Sequence, residues 1–535
     1  MSFFKRHAKC ALLLFILACG IIINAPFERF QGFLAQGDHG RDLYAAQAVY
    51  HGEFPYKDFW WVYGPLMPYY YGLFFKIFGT QISSVILGKL VLRILGGLLV
   101  GLAMMEISSS PIAFLTACWF MLFFQDFFIT YNHIGGIVMV IGTTYCLLSY
   151  IQKPRLGSAW GALAFIFVLS LIKINFGLSA LMMCVGTVAV SDLVRSVPFH
   201  TNKKIFYTTA LIILPLVLYA IYWSLLKNLS IMEIRQCLPY LEGDQPYTSS
   251  PWAAILSFLK ITLRTATSNW PNITFAVILN AGILRCLYLF TQKNFLRARK
   301  ITLGLSLGLL SLFYIVNFHE YLKSGVWYRG LWSQPLSIML SFFIIDIAAQ
   351  SIPKLWRRLI FLTLAALIAL SWWAVLPRIK AVKVESQYLS LPRGDVYITN
   401  ASPWTITVKE TTDFLNKTLK PSELFFALPY DCLYYFLTDK KSPTRQLIFF
   451  EHIKIPEAQE RSVIADLEKN HVHYILMSNR AYARQEYGLG LLGKTYCPLI
   501  GKYIQDNFVP LARFGDWSNE PGWAWNHGTL ILKRK

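Results

Sequence analysis

The sequence predicts a polytopic α-helical membrane protein that ends in a C-terminal α/β region. Three observations predict it. The first is composition: of 535 residues, 55% are hydrophobic and only 15% charged, with a mean hydropathy of +0.44. A soluble chain carries about 25% charged residues, so this one lacks the polar groups to cover a water-facing surface. The second is a succession of apolar runs of bilayer length. The third is a shift to ordinary globular composition after Pro377. The formal net charge of +21 would suggest nucleic acid in a soluble protein. Here the basic residues lie mostly between apolar runs, which is the pattern of topology control, and a nucleic-acid partner is excluded.

A bilayer core of about 30 Å needs roughly 20 apolar residues per helix. Eleven candidate spans meet or approach this: 10–27, 84–106, 111–129, 134–151, 158–172, 176–194, 205–226, 272–291, 301–317, 335–350 and 357–376. The first follows Lys5, Arg6 and Lys9 as a signal peptide would, but no clear small-x-small cleavage site follows, so it reads as a helix. With the N-terminus inside, the cytoplasmic segments carry Lys5, Arg6 and Lys9; Lys153 and Arg155; Arg195, Lys203 and Lys204; Lys293, Arg297, Arg299 and Lys300; and Lys354, Arg357 and Arg358. These fifteen basic residues have no acidic neighbours in the same segments, a positive-inside pattern. The short runs 158–172 and 176–194 lie between two basic segments, so the chain crosses twice there. An odd number of crossings puts the C-terminal region outside.

Three outer segments are long: 28–83, 227–271 and 318–334. Within the second, 253–266 has the pattern of an interfacial amphipathic helix. Residues 1–376 form the membrane module and 377–535 the C-terminal domain. In the latter, strand-like runs at 395–399, 424–428 and 472–477 alternate with helix-like runs at 408–419, 456–470 and 499–507, as in an α/β domain with a partly parallel sheet. No dinucleotide fingerprint or P-loop is present. Cys432 and Cys497 share the outer compartment, but nothing in their spacing demands a disulfide.

The chemistry concentrates in the first outer segment, at Gln36-Gly37-Asp38-His39-Gly40-Arg41-Asp42 and at Gly52-Glu53-Phe54-Pro55-Tyr56-Lys57-Asp58, which runs on through Trp60, Trp61 and Tyr63-Gly64-Pro65-Leu66. If 38–51 is helical, Asp38 and Asp42 share one face, one turn apart. Asp38 also suits a helix cap, and the aromatic stretch suits a loop lying in the bilayer interface.

This arrangement resembles the membrane glycosyltransferases of the GT-C superfamily, in particular glycosyltransferase family 39 (protein O-mannosyltransferases) and the lipid A aminoarabinose transferases. The residues that carry the resemblance are an acid just past the first span, a short helix, Gly-Glu-x-Pro-Tyr-x-Asp, and Gly-Pro-Leu entering the next helix. It covers roughly residues 10–376 and implies a GT-C-like fold in a bacterial inner membrane. It further implies a sugar donated by a polyprenyl phosphate and a glycan, lipid or protein acceptor. Asp38 matches the catalytic acid of the first loop and Asp58 the second acid. Two departures stand out: His39 replaces the usual acidic neighbour of the first Asp, and Tyr63-Gly64-Pro65-Leu66 stands where the relatives have His-Pro-Pro-Leu or Lys-Pro-Pro.

Elementary chemistry agrees. The acceptor hydroxyl needs a base, and one carboxylate acting opposite the leaving group gives inversion without an enzyme nucleophile. Asp38 is the candidate base, with Asp42 or Asp58 orienting it or holding the acceptor. The leaving phosphate needs cations; candidates are Lys89, Arg93, Lys173, Arg264 and Arg329. Asp126 and His133 are weaker candidates for the same cavity. Asp346 and Arg285 read as structural. No cofactor is required. His319-Glu320 with Asp38 is the one candidate for a divalent ion, although no DxD motif accompanies it. A transporter or lipid flippase would place charges at mid-membrane and repeat its span pattern, and neither is evident. A non-catalytic envelope assembly protein is a third reading.

Overall fold

A computed structural model describes residues 2–28, 37–123, 131–196, 201–238, 250–292, 297–325, 327–385, 387–398, 403–482, 489–517 and 528–535. The chain opens with α1 (Ser2–Glu28), α2 (Asp38–Tyr50) and α3 (Leu66–Phe78). Next come α4 (Ile82–Ile107), α5 (Ser110–Phe123), α6 (Tyr131–Gln152), α7 (Leu156–Ile172) and α8 (Ile174–Val194). α9 (Thr201–Thr208) and α10 (Leu214–Leu226) run on through a π turn at Thr209–Ile213. Pro215 has no N–H to offer the carbonyl of Leu211, and the ladder widens there.

The bundle continues with α11 (Ile231–Cys237), α12 (Pro251–Ala266), α13 (Trp270–Thr291), α14 (Arg297–Asn317), α15 (His319–Ser324), a 3-10 turn (Trp327–Trp332), α16 (Gln334–Gln350) and α17 (Lys354–Glu385). Every one of the eleven runs is helical where described, the run at 111–129 being described only to Phe123. Among the described residues, seven helices are long and apolar enough to cross a membrane, and four shorter apolar helices lie in the remaining runs. The protein is a polytopic helical membrane protein. The interfacial segment is also helical: α12 exposes Trp252, Leu256, Leu259 and Leu263 and lays Phe258 edge-on against Phe318 and Tyr321.

Helix α17 holds the span expected at 357–376 and runs on through Pro377 to Glu385. One expectation needs correction. The strand expected at 395–399 does not join the main sheet. β1 (Gln387–Leu391) and β2 (Gly394–Ile398) form a separate antiparallel hairpin. Beyond it lie α18 (Pro403–Thr418), β3 (Phe425–Leu428), α19 (Leu433–Leu437), α20 (Glu457–Lys469), β4 (Tyr474–Ser478), α21 (Pro498–Asn507), β5 (Phe508–Phe514) and β6 (Thr529–Arg534). The four-stranded sheet has the order β3-β4-β6-β5. Only β3 and β4 are parallel; β6 is antiparallel to both its neighbours. Cys432 and Cys497 are unpaired and buried, in two different apolar cores.

The C-terminal region seats on α2. One apolar core runs from the bundle through Leu43, Tyr44 and Phe75 to Phe425, Leu433 and Phe436. Phe75 stacks on Phe436 at 5.8 Å, and the amide of Ser442 donates to the Tyr44 hydroxyl. The approach is close enough to require a glycine: a Cβ on Gly40 would lie 2.7 Å from the backbone nitrogen of Leu433. Polar ties reinforce it. Lys441 pairs with Glu53 at 2.7 Å, Arg445 pairs with Glu233, and Trp60 N–H donates to the Arg445 carbonyl at 2.7 Å.

Candidate active site

Asp38 opens α2. Gly37 occupies the cap position, and no side chain caps the helix, so the capping role does not apply. The Asp38 side chain is 40% exposed. Its Oδ1 accepts from Arg41 Nη1 at 3.2 Å and from the Tyr430 hydroxyl at 2.9 Å. One turn on, Asp42 is buried and its Oδ1 accepts from Arg41 Nε at 3.0 Å and Nη2 at 2.8 Å. The two acids do share a face, as the spacing predicts, and the buried guanidinium between them neutralises their mutual repulsion. Their neighbour His39 is buried, and burial together with Lys89 pushes its pKa down to about 4. The ring is therefore neutral at physiological pH, and Lys89 lies within electrostatic reach of the Asp38 end of α2. Arg93 is buried one turn farther along α4.

The loop after α2 returns across the bundle. Asp58 stays local: its Oδ2 accepts from the Phe54 amide at 2.8 Å and closes a turn. It is not brought to Asp38. The turn delivers Trp61 and Tyr63 beneath Arg41, whose guanidinium carbon lies 5.3 Å and 5.0 Å from the two ring centroids. Gly64 fixes this placement. Its N–H donates to the carbonyl of Ile172 at 2.8 Å, and a Cβ there would meet the Leu171 carbonyl oxygen at 2.2 Å.

Lys173 is the single extended residue between α7 and α8. It is buried and pairs with Glu320 at 2.6 Å. Its ammonium also lies 5.0–5.6 Å from the ring centroids of Trp332, Phe176 and Tyr63. Asn175 donates to Glu320 Oε1 and contacts His319 Nε2, both at 2.9 Å. His319 Nδ1 faces the Val316 carbonyl at 2.8 Å. A carbonyl only accepts, so Nδ1 carries the proton and Nε2 accepts from Asn175. The same reasoning settles His133. The Trp332 indole donates to its Nδ1 at 2.9 Å, so the proton sits on Nε2, which faces the Tyr63 hydroxyl at 3.4 Å.

Tyr63 is thus the meeting point. Its phenol lies in the field of Arg41, Asp38, Asp42 and Arg329, and its ring in reach of Lys173. Two sets of groups proposed from sequence, the acids of α2 and the cations Lys173 and Arg329, converge there. Arg264 is exposed on α12. Asp126 lies outside the described residues. Asp346 caps α5 through Ser109 N and Oγ at 2.8 Å and 2.7 Å, and Arg285 binds Ser351, both structural as expected. Glu320 and His319 are engaged by Lys173 and Asn175, and among the described residues no group of three or more His, Cys, Asp or Glu side chains is placed to hold a metal ion. Sequence reasoning missed Arg41, Tyr63 and Tyr430; only Arg41, between two acids on one helix, left a local signal.

Sequence comparison finds no matching family profile and no matching curated protein. Structural comparison finds ArnT from Cupriavidus metallidurans, solved with undecaprenyl phosphate. It matches with a TM-score of 0.52 and 11% identity over 97% of both chains. The apo form of the same protein gives 0.53 and 11% identity over 98% of both chains. The chain shares the fold of that protein along nearly its whole length. The archaeal oligosaccharyltransferase AglB from Archaeoglobus fulgidus, solved with an inhibitory peptide and a dolichol-phosphate, gives 0.47 at 12% identity, over 97% of this chain and 75% of that one. The near-complete coverage of both chains in the ArnT matches includes the C-terminal sheet as well as the bundle.

Proposed function

We propose that the protein is an inverting glycosyltransferase. It moves a hexosyl or pentosyl unit from a polyprenyl phosphate to a glycan, lipid or protein acceptor on the outer face of the membrane. The observation that carries this reading is the convergence on Tyr63 of a half-exposed carboxylate and two cations, in a chain with the GT-C fold. ArnT's structure with undecaprenyl phosphate supports the choice of donor. The positive-inside pattern supports the side.

In this reading Asp38 is the base. Both of its hydrogen bonds fall on Oδ1, and Oδ2 is left to meet the acceptor. The acceptor hydroxyl gives its proton to Oδ2 as its oxygen bonds to the anomeric carbon. The bond from that carbon to the phosphate oxygen breaks with its electron pair, releasing polyprenyl phosphate. Lys173 and Arg329 meet the developing negative charge, with Lys89 and Arg93 as further cations on α4. Asp42 acts through Arg41 and keeps it aimed at Asp38. Asp58 holds the turn that presents Trp61 and Tyr63. The reaction needs no resident cofactor, and these cations do the work a divalent ion would otherwise do at the phosphate. In this reading the four-stranded sheet and the helices around it lie over the site on the outer side.

Purified protein is tested against a panel of radiolabelled polyprenyl-phosphate sugars, with and without chelator. Transfer or hydrolysis that persists in chelator supports the reading. Asp38→Asn should lower it about 10²–10⁴-fold, the usual worth of a positioned base, while expression and folding are unchanged. Uptake into vesicles without chemistry would instead support a carrier, and near-wild-type transfer by Asp38→Asn would remove Asp38 from the role.

A further inference from the structure

Tyr430 lies 392 residues from Asp38, in the loop between β3 and α19, yet its hydroxyl donates to Asp38 Oδ1 at 2.9 Å. Its side chain is 1% exposed. The ring is wedged against the start of α2, where a Cβ on Gly37 would lie 3.1 Å from its edge. On the other side it meets Phe450 edge-on at 6.2 Å. Burial holds the phenol well above its ordinary pKa, so the hydroxyl keeps its proton and remains a donor.

Arg41 and Tyr430 approach Asp38 from different parts of the molecule. Arg41 comes from within α2 and is itself fixed by Asp42. Tyr430 comes from the C-terminal region, whose seat on α2 is set by Gly40 against Leu433 and by the bond between Ser442 and Tyr44. With both donors on one oxygen, the rotation of the carboxylate is fixed and the other oxygen is singled out.

We infer that Tyr430 is a positioning residue for the Asp38 base, so that the C-terminal region completes the active site rather than only covering it. This inference rests on the function proposed above. A hydrogen bond to a charged acceptor is worth enough to predict a loss of about ten- to a hundredfold when it is removed. It acts on the base and not on the lipid donor, so the loss falls on kcat.

Tyr430→Phe keeps the ring and its packing while deleting the hydroxyl. The expected result is a kcat per folded molecule lowered about ten- to a hundredfold, with KM for the polyprenyl-phosphate sugar within about twofold of wild type. A merely structural role would lower the melting temperature and leave kcat per folded molecule intact, and that result would overturn the inference. So would a raised KM with kcat preserved. If Tyr430→Phe is itself unstable, Phe450→Leu, which loosens the same packing without touching the hydroxyl, should be equally unstable yet keep its kcat; an equal fall in kcat overturns the assignment. Transfer lost in Asp38→Asn but retained in Tyr430→Phe overturns only this inference. No transfer by the wild-type protein from any donor removes the proposed function and the inference together.

Discussion

Asp431, next to the tyrosine that holds Asp38, is 1% exposed. Its Oδ2 accepts from Ser478 Oγ at 2.8 Å, and the buried Arg480 lies near enough to act on it. Burial outweighs both and raises its pKa from 3.8 to about 6. The folded protein therefore binds this proton more tightly than the unfolded chain, and stability falls as pH rises from about 4 to about 6. At about 1.4 kcal/mol per pH unit, the ionised group costs the native state about 3 kcal/mol above that window. Asp431→Asn mimics the protonated form and keeps an acceptor for Ser478. At pH 7.5 it should stabilise the C-terminal region by about 3 kcal/mol, a rise of about 6–12 °C in a unit of this size. At pH 4.5 the gain should shrink to about 1 kcal/mol, a rise of about 2–4 °C, because the native group is then neutral and only the unfolded chain is ionised. Thermal unfolding followed by tryptophan fluorescence in one detergent at both pH values reads this directly. A gain equal at the two pH values, or a loss at pH 7.5, refutes the reasoning.

Two further outcomes follow from the site. Gly64→Ala forces a methyl against the Leu171 carbonyl oxygen; overpacking of this kind costs about 1–3 kcal/mol, visible as a lower melting temperature, and it should depress transfer because Tyr63 moves with the loop. Lys173→Met deprives the buried Glu320 carboxylate of its ammonium partner, at a cost of about 3–5 kcal/mol. Adding Glu320→Gln should restore most of the melting temperature but not the KM for the lipid donor; recovery of both would show that Lys173 serves the fold alone.

Much of the architecture was legible because the bilayer imposes one length and one composition on every span. Each of the eleven apolar runs is helical where described, and the basic segments separated α7 from α8 at Lys173. The α2 acids were legible for the same kind of reason, since one helical turn fixes their relation. What escaped depends on distance along the chain. Nothing local in Leu428-Pro429-Tyr430 announces a partner in the first loop. Tyr63 sits in an aromatic stretch that reads equally well as an interfacial belt. The pair formed by His133 and Trp332 joins two segments read separately. Asp58 was proposed by likeness to other chains, whereas its own neighbourhood gives it a turn to close. Helix α3 was announced only by likeness, through the Gly-Pro-Leu at its entrance, because its aromatics and Pro68 look like loop. The run at 395–399 was legible as a strand, but its hairpin partner β1 and the last two strands were missed because short, partly polar runs carry little periodicity.

The position of β6 has a consequence for how the molecule comes into being. Residues 529–534 lie between β4 and β5, so the sheet behind Tyr430 has a gap at its centre until they leave the ribosome. Helices α1 to α17 precede this strand in the chain and are made first. On the function proposed above, Asp38 then has one of its two anchors, Arg41, before the sheet behind the other, Tyr430, is complete.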